Sequence, residues 1–402
     1  MRYIFLTTLL SVVLSIPTIA QDSTNTNEPL NAVNSIVYDP HTDKKLSLGA
    51  YGQLEFSQQF ADTAEHNALI DVHRFVMFMG YHFNERTHFV SEIEFEHVKE
   101  AAVEQAFLNY RICKFMDIRA GLMLIPMGII NEYHEPTTFN GTLRPNIDNK
   151  IVPATWRELG MGFTGKFDAL SLKYQLYAFN GFNGYGTAGM FKGDDGLRGG
   201  RQKGIKSYMT SPDVSVKLDY YGVKGLKIGA AGYFGSSESK LFEGLWLEDT
   251  LQNAQMRADS SVVGIMMMGF DIRYNYKGFE ARAQYIMANL SNTDQYNEFA
   301  NKDLGSSMAG YYVEAGYNVL QSCKKTKNKL IIFARYENYD THKSFYVDSL
   351  RNDAYNRTDI TFGAVFKIAE GAVFKTDYQL LSNAKAGTTP RKMFNMGIGI
   401  WF

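Results

Sequence analysis

The chain is poor in cysteine, proline and long apolar runs, and each shortage excludes something. Its 402 residues include 2 Cys, 9 Pro and 3 Trp. Two cysteines as far apart as Cys113 and Cys323 cannot build a disulfide-stapled scaffold. After residue 16 no stretch approaches the roughly 20 consecutive apolar residues that a membrane-spanning helix requires. Charge is balanced as well, 41 basic residues against 42 acidic, so the chain lacks the electrostatic footprint of a nucleic-acid binder. No linker, composition shift or low-complexity block follows Lys45, which argues for one domain despite the length.

Present in their place are 35 Gly, 25 Tyr and 28 Phe, an aromatic content of 14%. The first residues read as an export signal over 1–20. A basic Arg2 precedes the apolar run Ile4 to Ile16, and Thr18-Ile19-Ala20 offers the small residues of a cleavage site. Residues 21–45 are polar and read as a disordered or loosely attached segment. From there to Phe402, runs of 10 to 14 residues alternate with period two between turn residues. They place strands near 46–59, 69–83, 86–98, 101–112, 115–124, 157–167, 170–180 and 209–220. A second set follows near 224–234, 261–276, 278–290, 309–319, 328–340, 357–368, 371–382 and 391–402.

Sixteen strands with tight turns at one end and long loops at the other are the pattern of a single all-β, antiparallel outer-membrane barrel over 46–402. Such a sheet closes on itself and leaves no backbone group unpaired in lipid. The alternation also separates the faces. In the last strand Phe394, Met396, Ile398, Ile400 and Phe402 point to lipid, and Asn395, Gly397 and Gly399 inward. Elsewhere the inward parity carries charge, and a lumen so lined is expected to be wet. The pore-lining candidates are Arg74, Glu92, Glu94, Arg111, Arg119, Lys173, Arg273, Arg282 and Lys375. Aromatics near strand ends are assigned to interface girdles: Tyr51, Phe56, Tyr81, Phe83, Tyr110, Phe115, Tyr177, Tyr220, Tyr233, Tyr274, Tyr276, Tyr311 and Phe366.

The segment 125–158 breaks the pattern. It holds four of the nine prolines, Pro126, Pro136, Pro145 and Pro153, none of which can donate to a sheet ladder. It also holds Ile129, Ile130, Tyr133, Phe139, Ile147, Ile151 and Trp156, enough apolar surface to pack against something. As the third long loop it is expected to fold into the barrel as a constriction. Its polar candidates are Glu132, His134, Glu135, Arg144, Asp148, Lys150 and Arg157. One arrangement sets Arg74, Arg111 and Arg119 on a wall opposite Glu132, Glu135 and Asp148, a transverse field that orients solutes. In the other, the same arginines are structural ties to the loop.

Enzyme signals are poor. Glu132, His134 and Glu135 sit in a proline-bounded loop without helical spacing or a second histidine, so no metal is assigned. His82, His88 and His97 have no nucleophile motif beside them, and the glycines of GFNGYGTAGMFKGDDGLRGG lack the strand-to-helix context of a phosphate cradle. The expectation is a non-enzyme without cofactors. Cys113 and Cys323 fall in turns eight strands apart, too distant to bridge.

RAGLMLIPMGIINEYHEPTTFNGTLRP followed by PATWRELGMGFTGKF resembles the core signature of the phosphate-selective porin O and P family. The later YAFNGFNG resembles that family's strand-to-loop transition, and the resemblance covers about 115–185. The tail MFNMGIGIWF, ending on Phe402, resembles the terminal strand by which outer-membrane proteins are recognised for insertion. The family resemblance implies a diffusion pore in outer-membrane lipid, a homotrimer, passing small hydrophilic solutes and ions, with the third loop as its constriction; it leaves open whether phosphate or another anion is among them. Against phosphate, the loop carries Arg144, Lys150 and Arg157 but also Glu132, Glu135, Asp148 and Glu158, and no unmatched arginine ladder lines the strands. The other open reading is a plugged barrel acting as an adhesin or interaction partner through its outer loops.

Overall fold

In a computed structural model the described residues are 31–37, 45–60, 65–245 and 252–402. The signal reading over 1–20, and most of the polar segment after it, lie outside them. The chain runs through β1 (Leu46–Phe60), β2 (Leu69–Asn84), β3 (Thr87–Glu96), β4 (Glu100–Cys113), β5 (Met116–Leu124) and β6 (Arg157–Phe167). Then come β7 (Leu172–Phe179), β8 (Asn183–Tyr185), β9 (Asp213–Val223), β10 (Leu226–Ser236), β11 (Glu238–Ser239) and β12 (Gly264–Tyr276). The last six are β13 (Phe279–Ser291), β14 (Ser307–Asn318), β15 (Lys329–Ser344), β16 (Asn356–Ala369), β17 (Ala372–Asn383) and β18 (Arg391–Trp401).

Sixteen of these close a barrel, each paired antiparallel with its neighbours and β1 pairing with β18. The remaining two, β8 and β11, form a small parallel pair in the long loops. Closure removes both sheet edges, the condition for a β-structure to sit in lipid. Strand ends sit within a few residues of the sequence-derived bounds, and the connections divide as expected. At one end lie tight turns, including Lys277-Gly278, where both residues have positive φ (49° and 83°), as a two-residue hairpin turn demands. At the other end lie the long loops, among them 125–156 between β5 and β6.

The alternation fixes the faces. On β17 Phe374 is exposed, while Lys375, Asp377 and Gln379 are buried inside; on β18 Met396 and Ile398 are exposed and Asn395 is buried, and Phe402 just after it is exposed. Phe83, Tyr110, Phe115, Tyr276 and Tyr311 are exposed at the lipid face as girdle residues should be. Tyr51, Tyr177 and Tyr233 correct that assignment: all three are buried within the barrel. Their parity follows the inward polar set, which an aromatic count near strand ends ignores. Cys113 and Cys323 are free thiols.

The interior differs from the expected wet lumen. Over the outer half, the loop side chains Ile125, Met127, Ile147, Ile151 and Trp156 pack with Tyr233, Met267, Ile286, Met308 and Tyr312 of the wall in one apolar cluster. Phe182, Phe191 and Leu197 of the 180–212 loop join it, with Trp156 stacked on Phe182 at a centroid distance of 4.5 Å. The core is therefore inside the barrel, and the loop supplies about a quarter of its residues. The polar segment also departs from its reading: the helix Ala32–Val37 packs inside the barrel with Val33, Ile36 and Val37 buried. Ile36 lies over Gly80, where a Cβ would come within 2.1 Å of it.

Phe362 sits midway along β16 and faces lipid. Phe362→Arg is expected to destabilise the barrel by about 2–4 kcal/mol, the cost of a cation at the bilayer midplane, whereas Phe362→Leu is near neutral. Guanidinium unfolding in lipid vesicles reads the difference.

Candidate functional site

A proline-rich loop inside a sheet brings irregular backbone into a space with little water, and each N–H and C=O there needs a partner. The wall supplies them. Lys375 Nζ donates to the Phe139 carbonyl (2.7 Å), Arg282 Nη1 to Thr138 (3.1 Å), Lys217 Nζ to Gly128 (2.8 Å) and Gln53 Nε2 to Thr142 (2.9 Å). Acids take the loop's donors: Asp377 accepts from Thr142 N (2.5 Å) and Glu337 from Ile147 N (3.2 Å). Gln284 Oε1 accepts from Ile129 N at 2.6 Å. Asn131 closes the neck of the loop, donating to the carbonyls of Ile125 and Trp156 and accepting from Trp156 N at 2.8 Å.

Loop side chains are tied as firmly. Lys217 Nζ lies 2.5 Å from Glu132 Oε2, and Gln175 donates to Oε1 at 2.7 Å. Burial opposes the charge on Glu132, yet Lys217 and Lys173 hold its carboxyl well below the usual range. Asn140 donates to Glu314, which also pairs with Arg282 (3.1 Å) and Arg335 (3.2 Å). Arg335 continues to Glu337 at 2.9 Å.

Six of the nine pore-lining candidates, Arg74, Glu92, Glu94, Arg119, Lys173 and Lys375, are less than a tenth exposed. Arg111, Arg273 and Arg282 keep partial exposure. The transverse wall takes a different form, because its members find partners on the sheet. Arg74 pairs with Glu94 (3.5 Å), Arg111 with Asp117 (3.4 Å), and Arg119 donates to Asn109 (2.7 Å). Arg119, Lys173, Gln175 and Glu132 line a cavity of about 30 Å³, room for about one water, which Asn31 and Val33 of the N-terminal segment cover.

Above the loop the structure assembles a cationic group. Arg201 Nη1 donates to the carbonyls of Pro153 (3.0 Å) and Ala154 (2.9 Å), and Arg198 Nη1 also donates to Ala154 (2.8 Å). Burial, with Arg198 and Arg157 close by, pushes Arg201 down to about 9; Lys203 is lowered by burial and by Arg201 and Arg157. Arg157 is buried with its Nε unpartnered. Lys150 pairs with Asp195 on the same loop. Arg198, Arg201 and Lys203 were not singled out from sequence. Their signal is the basic spacing in LRGGRQKG, beside glycines weighed only as a phosphate cradle.

His134 is not drawn to its neighbours Glu132 and Glu135 as a metal set. Its ring enters a buried group with Glu92 of β3 and Glu104 of β4. Burial and Arg74 push Arg144 down to about 9, and its Nη2 donates to the His134 carbonyl at 3.2 Å.

Asp148 gives a pH test. Its Oδ1 accepts from Gln284 Nε2 (2.7 Å) and its Oδ2 has no hydrogen-bond partner. Burial, reinforced by Glu337, raises its carboxyl to about 7. An unfolded Asp titrates near 3.9, so the folded loop keeps a proton that the unfolded chain releases between about pH 4 and 7. That contribution is complete below pH 4 and lost as pH rises through 7. Asp148→Asn is expected to leave the denaturation midpoint unchanged at pH 4 and to raise it at pH 8.

No family model matches the chain. An uncharacterised protein of Aquifex aeolicus (strain VF5) is 30% identical over 344 residues, 83% of this chain and 75% of that protein. Among solved structures, the anion-selective porin from Comamonas acidovorans superposes with a TM-score of 0.57 at 10% identity, covering 89% of this chain and 99% of its own. The outer-membrane channel DcaP of Acinetobacter baumannii gives 0.57 at 8% identity, covering 89% of this chain and 97% of its own. OmpT of Vibrio cholerae, in its trimer form, gives 0.52 at 13% identity, covering 89% of this chain and 100% of its own. These likenesses establish the fold of outer-membrane porins.

Proposed function

We propose that this chain, which belongs to the same family as the uncharacterised Aquifex aeolicus protein, is an outer-membrane porin of narrow bore passing small hydrophilic solutes and ions. The observation that carries this reading is the third loop: a closed sixteen-stranded barrel holds a charged segment inside itself, fixed to the wall on several sides. A loop so placed narrows the passage without abolishing the polar wall at the short-turn end, where Arg111, Arg273 and Arg282 are partly exposed. The cations Arg157, Arg198, Arg201 and Lys203 over the loop favour anions at the outer mouth, phosphate among them. A trimer in the outer membrane fits the fold and the exposed apolar band. The chemistry is passive diffusion, not catalysis.

A second reading is favoured by one observation. The six buried wall candidates and the N-terminal helix under the loop suit a barrel closed at rest, working through its outer loops.

Conductance of the refolded mature chain in a planar bilayer separates the two. Small, stable ohmic steps with a zero-current potential on the anion side are expected, together with block by low phosphate. Arg201→Glu is expected to move that potential toward cations. Absence of steps from protein shown to be folded selects the plugged barrel.

A further inference from the structure

We infer that Glu92, Glu104 and His134 form a binding site for one divalent transition-series cation, such as Zn²⁺, that pins the third loop to the wall. One ligand atom from each lies within 4.8 Å of the others, and all three side chains are buried. Two carboxylates and an imidazole are a donor set for such a cation, and their summed charge of about −2 matches it.

The histidine is oriented for ligation. His134 Nδ1 lies 3.3 Å from the carbonyl of Asn131, which can only accept, so Nδ1 carries the proton and Nε2 presents its lone pair. That lone pair faces Glu104 Oε1 at 3.4 Å. A carboxylate oxygen and an imidazole lone pair repel at this distance unless a cation lies between them. The separation is also the edge of a tetrahedron with metal–ligand bonds of about 2.1 Å, which is roughly 3.4 Å.

A second observation points the same way. Glu92 is 1% exposed, and its Oε2 has no hydrogen-bond partner. A buried carboxylate oxygen left bare is costly, and a coordinated cation removes the cost. The Tyr51 hydroxyl stands 3.2 Å from Glu104 Oε2 and 3.0 Å from His134 Nε2. It therefore donates to the ligating carboxylate once Nε2 is taken. The consequence is mechanical: one ion joins β3 and β4 to the loop that sets the bore.

The competing occupant is a proton on Nε2, making an imidazolium paired with Glu104. Co²⁺ titration of the full mature chain, refolded in chelator and then dialysed, distinguishes the two. One equivalent bound, with the visible absorption of a low-symmetry tetrahedral site and competition by Zn²⁺, is expected. Glu92→Gln keeps the shape of the side chain and removes one donor charge. It should weaken binding by more than the roughly 10–100-fold that loss of an outer-shell partner costs, and His134→Ala should abolish it. A heat-modifiable gel shift shows that each variant is still a barrel. Asp71, His73 and His97 make a separate, more exposed group near the long-loop end of the barrel, so His97→Ala should leave the ion bound. Failure of the wild type to bind one equivalent overturns the assignment. So does an ion that persists in Glu92→Gln and disappears in His97→Ala.

Discussion

The constraint on which this structure turns is the polar backbone of residues 125–156, held where water is scarce. A barrel strand satisfies its neighbours through the ladder, but a segment with four prolines and no sheet of its own cannot. The inward wall answers with both kinds of charge. Lysines and arginines serve the loop's carbonyls and aspartates and glutamates serve its amides, as Lys375 on Phe139 O and Asp377 on Thr142 N show from one strand. The near-equality of acids and bases lining the barrel therefore follows from what the loop presents. It is poor evidence about which ions pass.

The apolar half of the interior has the same origin. Once the loop enters, Ile147, Ile151 and Trp156 must be covered, and the inward parity of β12 to β14 is accordingly apolar at its outer end, with Met267, Ile286 and Met308. The 180–212 loop completes the cover through Phe182 and Phe191 and, through Arg198 and Arg201, ties the carbonyls at the loop's exit. Two long loops thus form one packed unit inside a sheet that would otherwise have no core.

Much of the fold was legible because period two is a strong signal: sixteen strands, the lipid face of β17 and β18 and the placement of the third loop all follow from alternation and turn chemistry. What was not legible depends on three-dimensional partners. Tyr51, Tyr177 and Tyr233 read as girdle residues because composition near strand ends says nothing of what waits inside. Arg74, Arg111 and Arg119 were grouped by neighbouring strands, yet each is held by a partner on the sheet, Glu94, Asp117 and Asn109. Glu104 escaped notice because β4 carries an irregular register near Gln105 that disturbs its alternation. His134 then found its companions 30 to 42 residues away in sequence, on two strands, where spacing rules do not reach.

These ties also bear on motion. Withdrawing the loop from the barrel would part Glu132 from Lys217 and strand Lys217, Glu337 and Asp377 in a wall built around it, and breaking a single buried pair by removing one partner costs about 3–5 kcal/mol. Several such losses at once are comparable to the whole stability of an ordinary domain. The loop is on this argument a fixed part of the bore rather than a gate. Beneath it the helix Ala32–Val37 adds the apolar contacts of Val33, Ile36 and Val37, and Asn31 donates to the Glu132 carbonyl.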